Sequence, residues 1–264
     1  MLRVGINGAA GRMGRRLVAL VSERDDMIVV AALECDDSAA LGRDAGQVAG
    51  IGPINVPVTA EIQARPDVLM DFSSPDSTVA RARECAKAEV ALVVGTTGLD
   101  AEQVSALEEA ARAVPCVYAP NMSVGVNVLA KLAKLAAHAL GPDFDVEVIE
   151  AHHRFKKDAP SGTALKLARA AAEGLGRELD EAGVYGRHGI VGERTAQEIG
   201  VHAVRAGDIV GEHTVLFGAL GEHVELKHSA HSRDTFVRGA LRAARFIAGK
   251  KPGMYTMEDV LGIS

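Results

Sequence analysis

Between positions 152 and 157 the chain reads His152-His153-Arg154-Phe155-Lys156-Lys157, and Ser161-Gly162-Thr163 follows shortly after. Imidazole and ammonium groups can hand over protons near neutral pH. A hydroxylated residue opening a helix presents backbone N–H groups and a positive dipole end to an anion. Together they suit an acid–base step on an anionic small molecule, with Ser161, Gly162 and Thr163 hydrogen-bonding a carboxylate. His152 or Lys156 can supply the proton, a contribution of typically ~10²–10⁴-fold, and the residues alone leave that choice open. The bland alternatives are a histidine pair split between core and solvent, and a Ser161 that only caps. No metal site is signalled, because no His, Cys or Asp partner stands at ligand spacing. The other histidines, among them His188, His213, His223 and His231, read as structural or surface residues.

The elements that must hold this cluster follow from periodicity. Val146, Val148 and Ile149 suggest a strand with partial alternation, and residues 163–173 form an Ala- and Leu-rich helical pattern, so the cations lie on a strand-to-helix loop. The chain opens with a strand over 2–6, then Gly8-Ala9-Ala10-Gly11-Arg12-Met13-Gly14, then Leu17, Leu20 and Val21 at helical spacing. A strand, a glycine turn and a helix open a dinucleotide-binding unit, although the spacing is GxxGxxG rather than GxGxxG. A second strand, 27–33, ends at Glu34, placed to accept hydrogen bonds from ribose hydroxyls. After a glycine-rich connection over 36–60, strands at 68–72, 90–95 and 116–119 alternate with helices. One helix is expected to be capped by Asp76, the next by an Asp100–Gln103 capping box.

Such alternation implies a Rossmann-type, doubly wound parallel sheet. Its carboxyl edge collects Gly8, Glu34, Phe72-Ser73, Gly95-Thr96-Thr97 and Ala119-Pro120-Asn121-Met122, small and hydroxylated residues suited to a cofactor's ribose and nicotinamide. A helix over 124–140 follows. From residue 146 the pattern changes to an α+β domain with an open mixed sheet, largely antiparallel, including strands at 202–205, 214–219 and 223–228. The helix over 234–248 and the tail return to the first domain. The expected domains are therefore 1–123 with 234–264 for the dinucleotide and 124–233 for the substrate.

Composition narrows the class. A net charge of −6, 3% aromatic residues and no Trp argue against a nucleic-acid surface. No apolar run approaches membrane-spanning length. Cys35, Cys85 and Cys116 are scattered, without a CxxC pair, which fits a reducing, cytoplasmic setting.

The motifs Gly8-Ala-Ala-Gly-Arg-Met-Gly14, Gly95-Thr-Thr-Gly98, Ala119-Pro-Asn-Met-Ser-Val-Gly-Val-Asn127 and Glu150-Ala-His-His-Arg-Phe-Lys-Lys-Asp-Ala-Pro-Ser-Gly-Thr163 closely resemble the 4-hydroxy-tetrahydrodipicolinate (dihydrodipicolinate) reductase family. The resemblance runs along nearly the whole chain. It implies NAD(P)H-dependent reduction of a cyclic dicarboxylate, with loss of water, in diaminopimelate and lysine biosynthesis. His152 matches the family's proton donor/acceptor and Lys156 its second donor; His153, Gly162 and Thr163 match dicarboxylate-binding positions. Gly8, Ala9, Ala10, Gly11, Arg12, Met13, Gly95, Thr96, Thr97, Ala119, Pro120, Asn121 and Met122 match cofactor contacts, with Glu34 on the ribose. A homotetramer assembled through the second domain is also implied. One stretch departs from members that use NADPH well, which carry arginine after the ribose acid: here Glu34-Cys35-Asp36-Asp37 places three carboxylates within four residues. Their repulsion of a 2′-phosphate suggests NADH. The competing readings are another two-domain NAD-dependent dehydrogenase and a catalytically silent NAD-sensing protein.

Overall fold

The computed structural model describes residues 1–263 and divides the chain into two compact units, Met1–Val124 with Asp234–Gly262, and Gly125–Arg233. Ser264, the last residue of the expected first domain, lies outside the described residues.

The first unit alternates β1 (Leu2–Asn7), α1 (Arg12–Ser22), β2 (Met27–Leu33), α2 (Ala45–Ala49), β3 (Val58–Thr59), β4 (Val68–Asp71), α3 (Pro75–Ala88), β5 (Ala91–Val94), α4 (Ala101–Ala111) and β6 (Pro115–Tyr118). The second unit holds α5 (Val124–Leu140), β7 (Asp145–His152), α6 (Gly162–Gly174), α7 (Leu179–Ala182), β8 (Gly183–Tyr185), β9 (Ile199–Arg205), β10 (Gly211–Ala219) and β11 (Glu222–Ala230). The chain then returns to the first unit with α8 (Asp234–Ile247), β12 (Gly253–Tyr255) and α9 (Met257–Leu261). None of the described helices is long and apolar enough to cross a membrane.

In the first unit, seven parallel strands run in the order β12-β6-β5-β4-β1-β2-β3. The central strands are apolar on both faces, as a sheet covered on both sides requires: β4 and β5 are buried at every position. On one face, Leu17, Val18 and Val21 of α1 and Val237, Ala240 and Ala244 of α8 share a core with Val4, Ile6, Met70 and Val93. On the other, Ala82 and Cys85 of α3 and Leu107 of α4 pack on Leu69, Leu92 and Val94. The return of α8 and β12 brings a distant segment to this core, with Arg16 of α1 holding Asp234 of α8 at 2.7 Å. One expected boundary changes. Ser74 is the N-cap residue of α3 and Pro75 opens the helix, its fixed φ suited to the first turn, so Asp76 sits inside that turn. The Asp100–Gln103 capping box forms as its spacing predicts.

The second unit's sheet runs β11-β10-β7-β9-β8. It is mixed, but less antiparallel than its turns suggest: β10 pairs antiparallel with β11 and β7, whereas β9 pairs parallel with β7 and β8. Helices α5 and α6 cover one face, where Leu129, Ala133, Leu167 and Ala171 meet Val146, Val148, Val201, Val215 and Phe217. On β7 the period of two turns Val146, Val148, Glu150 and His152 inward together. The same alternation that builds the core therefore buries a carboxylate and an imidazole.

Candidate active site

In the first unit, the turn after β1 depends on glycines. Gly8 has φ +77°, and a Cβ there would fall 2.7 Å from the Phe72 carbonyl oxygen. A Cβ on Gly14 would run into the Gly8 carbonyl, so glycine lets α1 start directly on the turn. Gly11 is the N-cap residue of α1; no side chain among the described residues caps this helix and its first turn carries no acid, which fits a seat for a phosphate group. The Ala10 N–H donates to Glu34 Oε1 at 2.7 Å, fixing the carboxylate at the end of β2 against this turn.

A cavity of about 410 Å³ opens beside it. Among the expected cofactor residues, Arg12, Met13, Gly95, Thr96, Thr97, Pro120 and Met122 line it. Gly8, Ala9, Ala10 and Gly11 form the turn, Glu34 is bonded to that turn, Ala119 is buried, and Asn121 accepts from the Ser123 N–H. Phe72, Ser73 and Phe236 complete the lining. Below it, buried Asp71 ties two lining loops together: its Oδ1 accepts from Ser73 N–H (3.0 Å), Ser73 Oγ (2.6 Å) and Thr96 Oγ1 (3.1 Å). Burial pushes the Asp71 carboxyl above its ordinary range, against the pull of these hydrogen bonds. The glycine turn, uncapped helix, carboxylate at the end of β2 and hydroxyl-lined cavity fit a dinucleotide.

In the second unit, β7 delivers Glu150 and His152 to one end of the sheet. The register sets Arg205 of β9 beside His152 and His213 of β10 beside Glu150. Glu150 is fully buried, at 0% exposure. His152 Nδ1 lies 2.5 Å from Glu150 Oε2. Arg205 donates to both carboxylate oxygens at 2.8 Å, and the Ser161 N–H donates to Oε1 at 3.0 Å. Burial pushes the Glu150 carboxyl up, but the bonds from Arg205, His152 and Ser161 outweigh it and hold the group below the usual carboxylate range. His152 Nε2 carries no hydrogen bond among the described residues.

The loop after β7 is anchored at both ends. The Ala206 N–H donates to the His152 carbonyl, the Arg154 N–H to the Gly207 carbonyl, and Arg205 to the Asp158 carbonyl. Ser161 caps α6, its Oγ accepting from the Ala164 N–H at 3.1 Å. Gly162 opens the helix and faces open space, and Thr163 follows in the first turn. Lys156 is ion-paired with Asp158 at 2.9 Å. His153 has a buried Nδ1 without a hydrogen bond among the described residues, and its ring centroid lies 6.2 Å from that of Phe155. The structure thus gathers His152 and Ser161 around Glu150, while Lys156 points its charge to a neighbour in its own loop.

His213, grouped in the sequence with the structural histidines, is structural in a way that touches this site. Its Nε2 is 3.1 Å from Ser161 Oγ and its ring stands edge-on to His152 at 5.1 Å. Burial, with the neighbouring His152 charge, lowers its pKa to about 4. A histidine neutral in the fold but protonated in the unfolded chain below about pH 6.5 costs stability on acidification. The loss begins near the unfolded value and is complete near pH 4, a total of about 3 kcal/mol from this group. Thermal unfolding between pH 7 and 4.5 is expected to show a falling midpoint, with a shallower slope for His213→Gln. Equal slopes for the two proteins would show that His213 is not buried neutral.

Comparison with known proteins gives one consistent result. Residues 2–122 match the family described as "Dihydrodipicolinate reductase, N-terminus" and residues 125–261 the one described as "Dihydrodipicolinate reductase, C-terminus". The 4-hydroxy-tetrahydrodipicolinate reductase of Syntrophus aciditrophicus (strain SB) is 49% identical over 99% of each chain. That of Alkalilimnicola ehrlichii (strain ATCC BAA-1101 / DSM 17681 / MLHE-1) is 52% identical, again over 99% of both. The solved structure of dipicolinate-bound dihydrodipicolinate reductase from Paenisporosarcina sp. TG-14 superposes with a TM-score of 0.76 at 28% identity, covering 98% of each chain.

Proposed function

The chain belongs to the dihydrodipicolinate reductase family, and we propose that it reduces 4-hydroxy-tetrahydrodipicolinate to tetrahydrodipicolinate in diaminopimelate and lysine biosynthesis. The substrate loses water, and the conjugated product then takes up a hydride on one atom and a proton on another. A bound nicotinamide nucleotide supplies the hydride. In this reading the first unit holds that nucleotide through the glycine turn, Glu34 and the cavity at Thr96 and Thr97. The second unit holds the dicarboxylate. One observation carries the assignment: a buried Glu150 grips both His152, whose Nε2 has no partner among the described residues, and the N-terminus of α6, whose Gly162 faces open space. A proton carrier and a carboxylate seat therefore hang on one fixed group. His153 and Thr163 complete the seat, with Lys156 as a second cation. A coupled assay tests the reading: pyruvate, aspartate semialdehyde and the preceding synthase generate the substrate, and loss of reduced-nicotinamide absorbance is followed. No synthase-dependent oxidation from a folded protein that binds the nucleotide would sink it.

NADH is the preferred donor in this proposal. Glu34 faces the turn, and Cys35, Asp36 and Asp37 follow without a cation. A 2′-phosphate brought there meets carboxylates, with Arg12 as the nearby positive charge. Cys35→Arg is expected to raise kcat/KM for NADPH about tenfold, the equivalent of ~1.4 kcal/mol, while leaving the NADH value within a factor of two or so. Equal gains with both cofactors, or none, would show that Cys35 does not face the 2′ position.

The assembly in this reading is a homotetramer formed through the sheet face of the second unit that α5 and α6 leave uncovered. Ile149 and Val204 stand there, 38% and 46% exposed. Sedimentation of the purified protein as a monomer at micromolar concentration would count against it. The cytoplasm is the assigned compartment; Cys35, Cys85 and Cys116, all unpaired thiols, are at home in a reducing one.

A further inference from the structure

Glu150 is an unusual group to find on a hydrophobic face. Its carboxylate lies on the same inward row of β7 as Val146 and Val148, and none of it reaches solvent. A buried carboxylate persists where every lone pair has a donor. Four donors converge on this one: two guanidinium N–H groups of Arg205, the Ser161 N–H and the His152 ring. The guanidinium and the amide N–H can only donate. They hold Glu150 as an acceptor, and His152 Nδ1, 2.5 Å away, must then carry the hydrogen of their shared bond. Neutral His152 is thereby fixed as the Nδ1–H tautomer with its lone pair on Nε2. Beside Nε2 stands Gly211, where an added Cβ would lie only 3.1 Å from that nitrogen, so glycine keeps the approach to Nε2 clear.

We propose that Glu150, held ionised by Arg205, is the positioning residue that makes His152 Nε2 the atom that gains and gives up the proton. The inference rests on the reductase reading for its kinetic consequence, but the tautomer it assigns is a property of the protein alone. When Nε2 takes a proton, the imidazolium sits against a carboxylate and is stabilised. When Nε2 gives that proton up, Arg205 keeps the carboxylate a weak base, so the proton on Nδ1 stays on the ring. The bond from the Ser161 N–H to the same carboxylate sets the start of α6 at a fixed place relative to the imidazole. One buried group thus orients both the proton carrier and the proposed carboxylate seat.

Glu150→Gln separates this role from a merely structural one. The amide keeps the shape and one acceptor oxygen for Ser161 and one Arg205 N–H, but gives up the second Arg205 bond and presents an NH₂ group to Nδ1, which favours the opposite tautomer. We expect kcat to fall by ~10²–10⁴-fold, the contribution of a positioned acid–base group, with a drop of about 10⁴ as the precedent for carboxylate-to-amide replacement beside a catalytic histidine. KM for the dicarboxylate is expected to change only a few-fold. Nitrogen-15 spectra of histidine-labelled wild-type enzyme should show His152 protonated at Nδ1 with a strongly deshielded proton, and the variant should show it protonated at Nε2. A variant with wild-type kcat would overturn the proposal, as would a wild-type His152 protonated at Nε2. The wild-type spectrum decides the matter even where the variant fails to fold. A wild-type enzyme inactive in the coupled assay would remove the reductase reading, while the same spectrum would still judge the hold of Glu150 on the ring.

Discussion

A His152→Gln enzyme is expected to turn over ~10²–10⁴-fold more slowly than the wild type while binding the reduced nucleotide with little change. Glutamine can donate from its amide to Glu150, so the buried carboxylate keeps a partner and the fold is spared. What disappears is an imidazole that can take up and give up a proton. The competing donor is Lys156, and geometry favours the imidazole: Lys156 Nζ is held by Asp158 at 2.9 Å, whereas His152 Nε2 has no hydrogen bond among the described residues. The measurement is kcat in the coupled assay beside nucleotide affinity by titration, for His152→Gln and Lys156→Met in parallel. A glutamine variant at the wild-type rate would remove His152 from the mechanism. Loss confined to the lysine variant would give Lys156 the proton step.

The parts of this molecule visible in the sequence are those governed by local chemistry. A strand, a glycine turn and a helix mark β1 through α1, because only glycine fits where Gly8 has positive φ and Gly14 meets a carbonyl. Ser161 reads as a cap and is one, and the Asp100–Gln103 spacing gives the box it predicts. Asp76 was displaced as the expected cap because Pro75, one position earlier, already fixes the first turn of α3.

Long-range pairing hides the rest. Val146 and Val148 mark an inward face on β7, and two further steps along the strand bring Glu150 and His152 onto it. A carboxylate at a core position signals a buried partner, and that was the available clue to Glu150. It could not identify Arg205, 55 residues away, because their meeting depends on β9 pairing parallel to β7. His213 arrives in the same way, through the antiparallel register of β10. Phe236 reaches the cavity of the first unit from α8, an element separated from β4 and β5 by the whole second unit. The half-parallel character of the second sheet has the same origin: short glycine turns announce hairpins, but nothing local announces that β9 lies along β7.

The largest expected loss of stability comes from Arg205→Ala. Alanine removes the one guanidinium bonded to Glu150 among the described residues and leaves a carboxylate at 0% exposure with His152 and one backbone N–H. Breaking a buried pair by deleting one partner costs about 3–5 kcal/mol, because the remaining charge has lost its compensation and cannot reach water. Glu147 provides the internal comparison. It lies on the uncovered face of β7, its pKa lowered to about 2 as bonds from Arg187, His202 and Arg194 outweigh its own partial burial. Removing Arg187 leaves it with Arg194 at 3.0 Å and His202 at 2.6 Å, so the carboxylate stays paired and Arg187→Ala is expected to cost roughly 1 kcal/mol or less. The pH dependence also separates the two. Without Arg205, the strongest counterweight to burial at Glu150 is gone, so its carboxyl moves up relative to the wild type. A group raised in this way loses stability relative to the wild type as pH increases. The Arg205→Ala protein is therefore expected to lie closest to the wild type near pH 5 and furthest from it near pH 8. Denaturant unfolding of the wild type and both variants at those two pH values measures the difference. An Arg205→Ala cost no larger than that of Arg187→Ala, and flat with pH, would mean that Glu150 finds water or another donor when the guanidinium is gone.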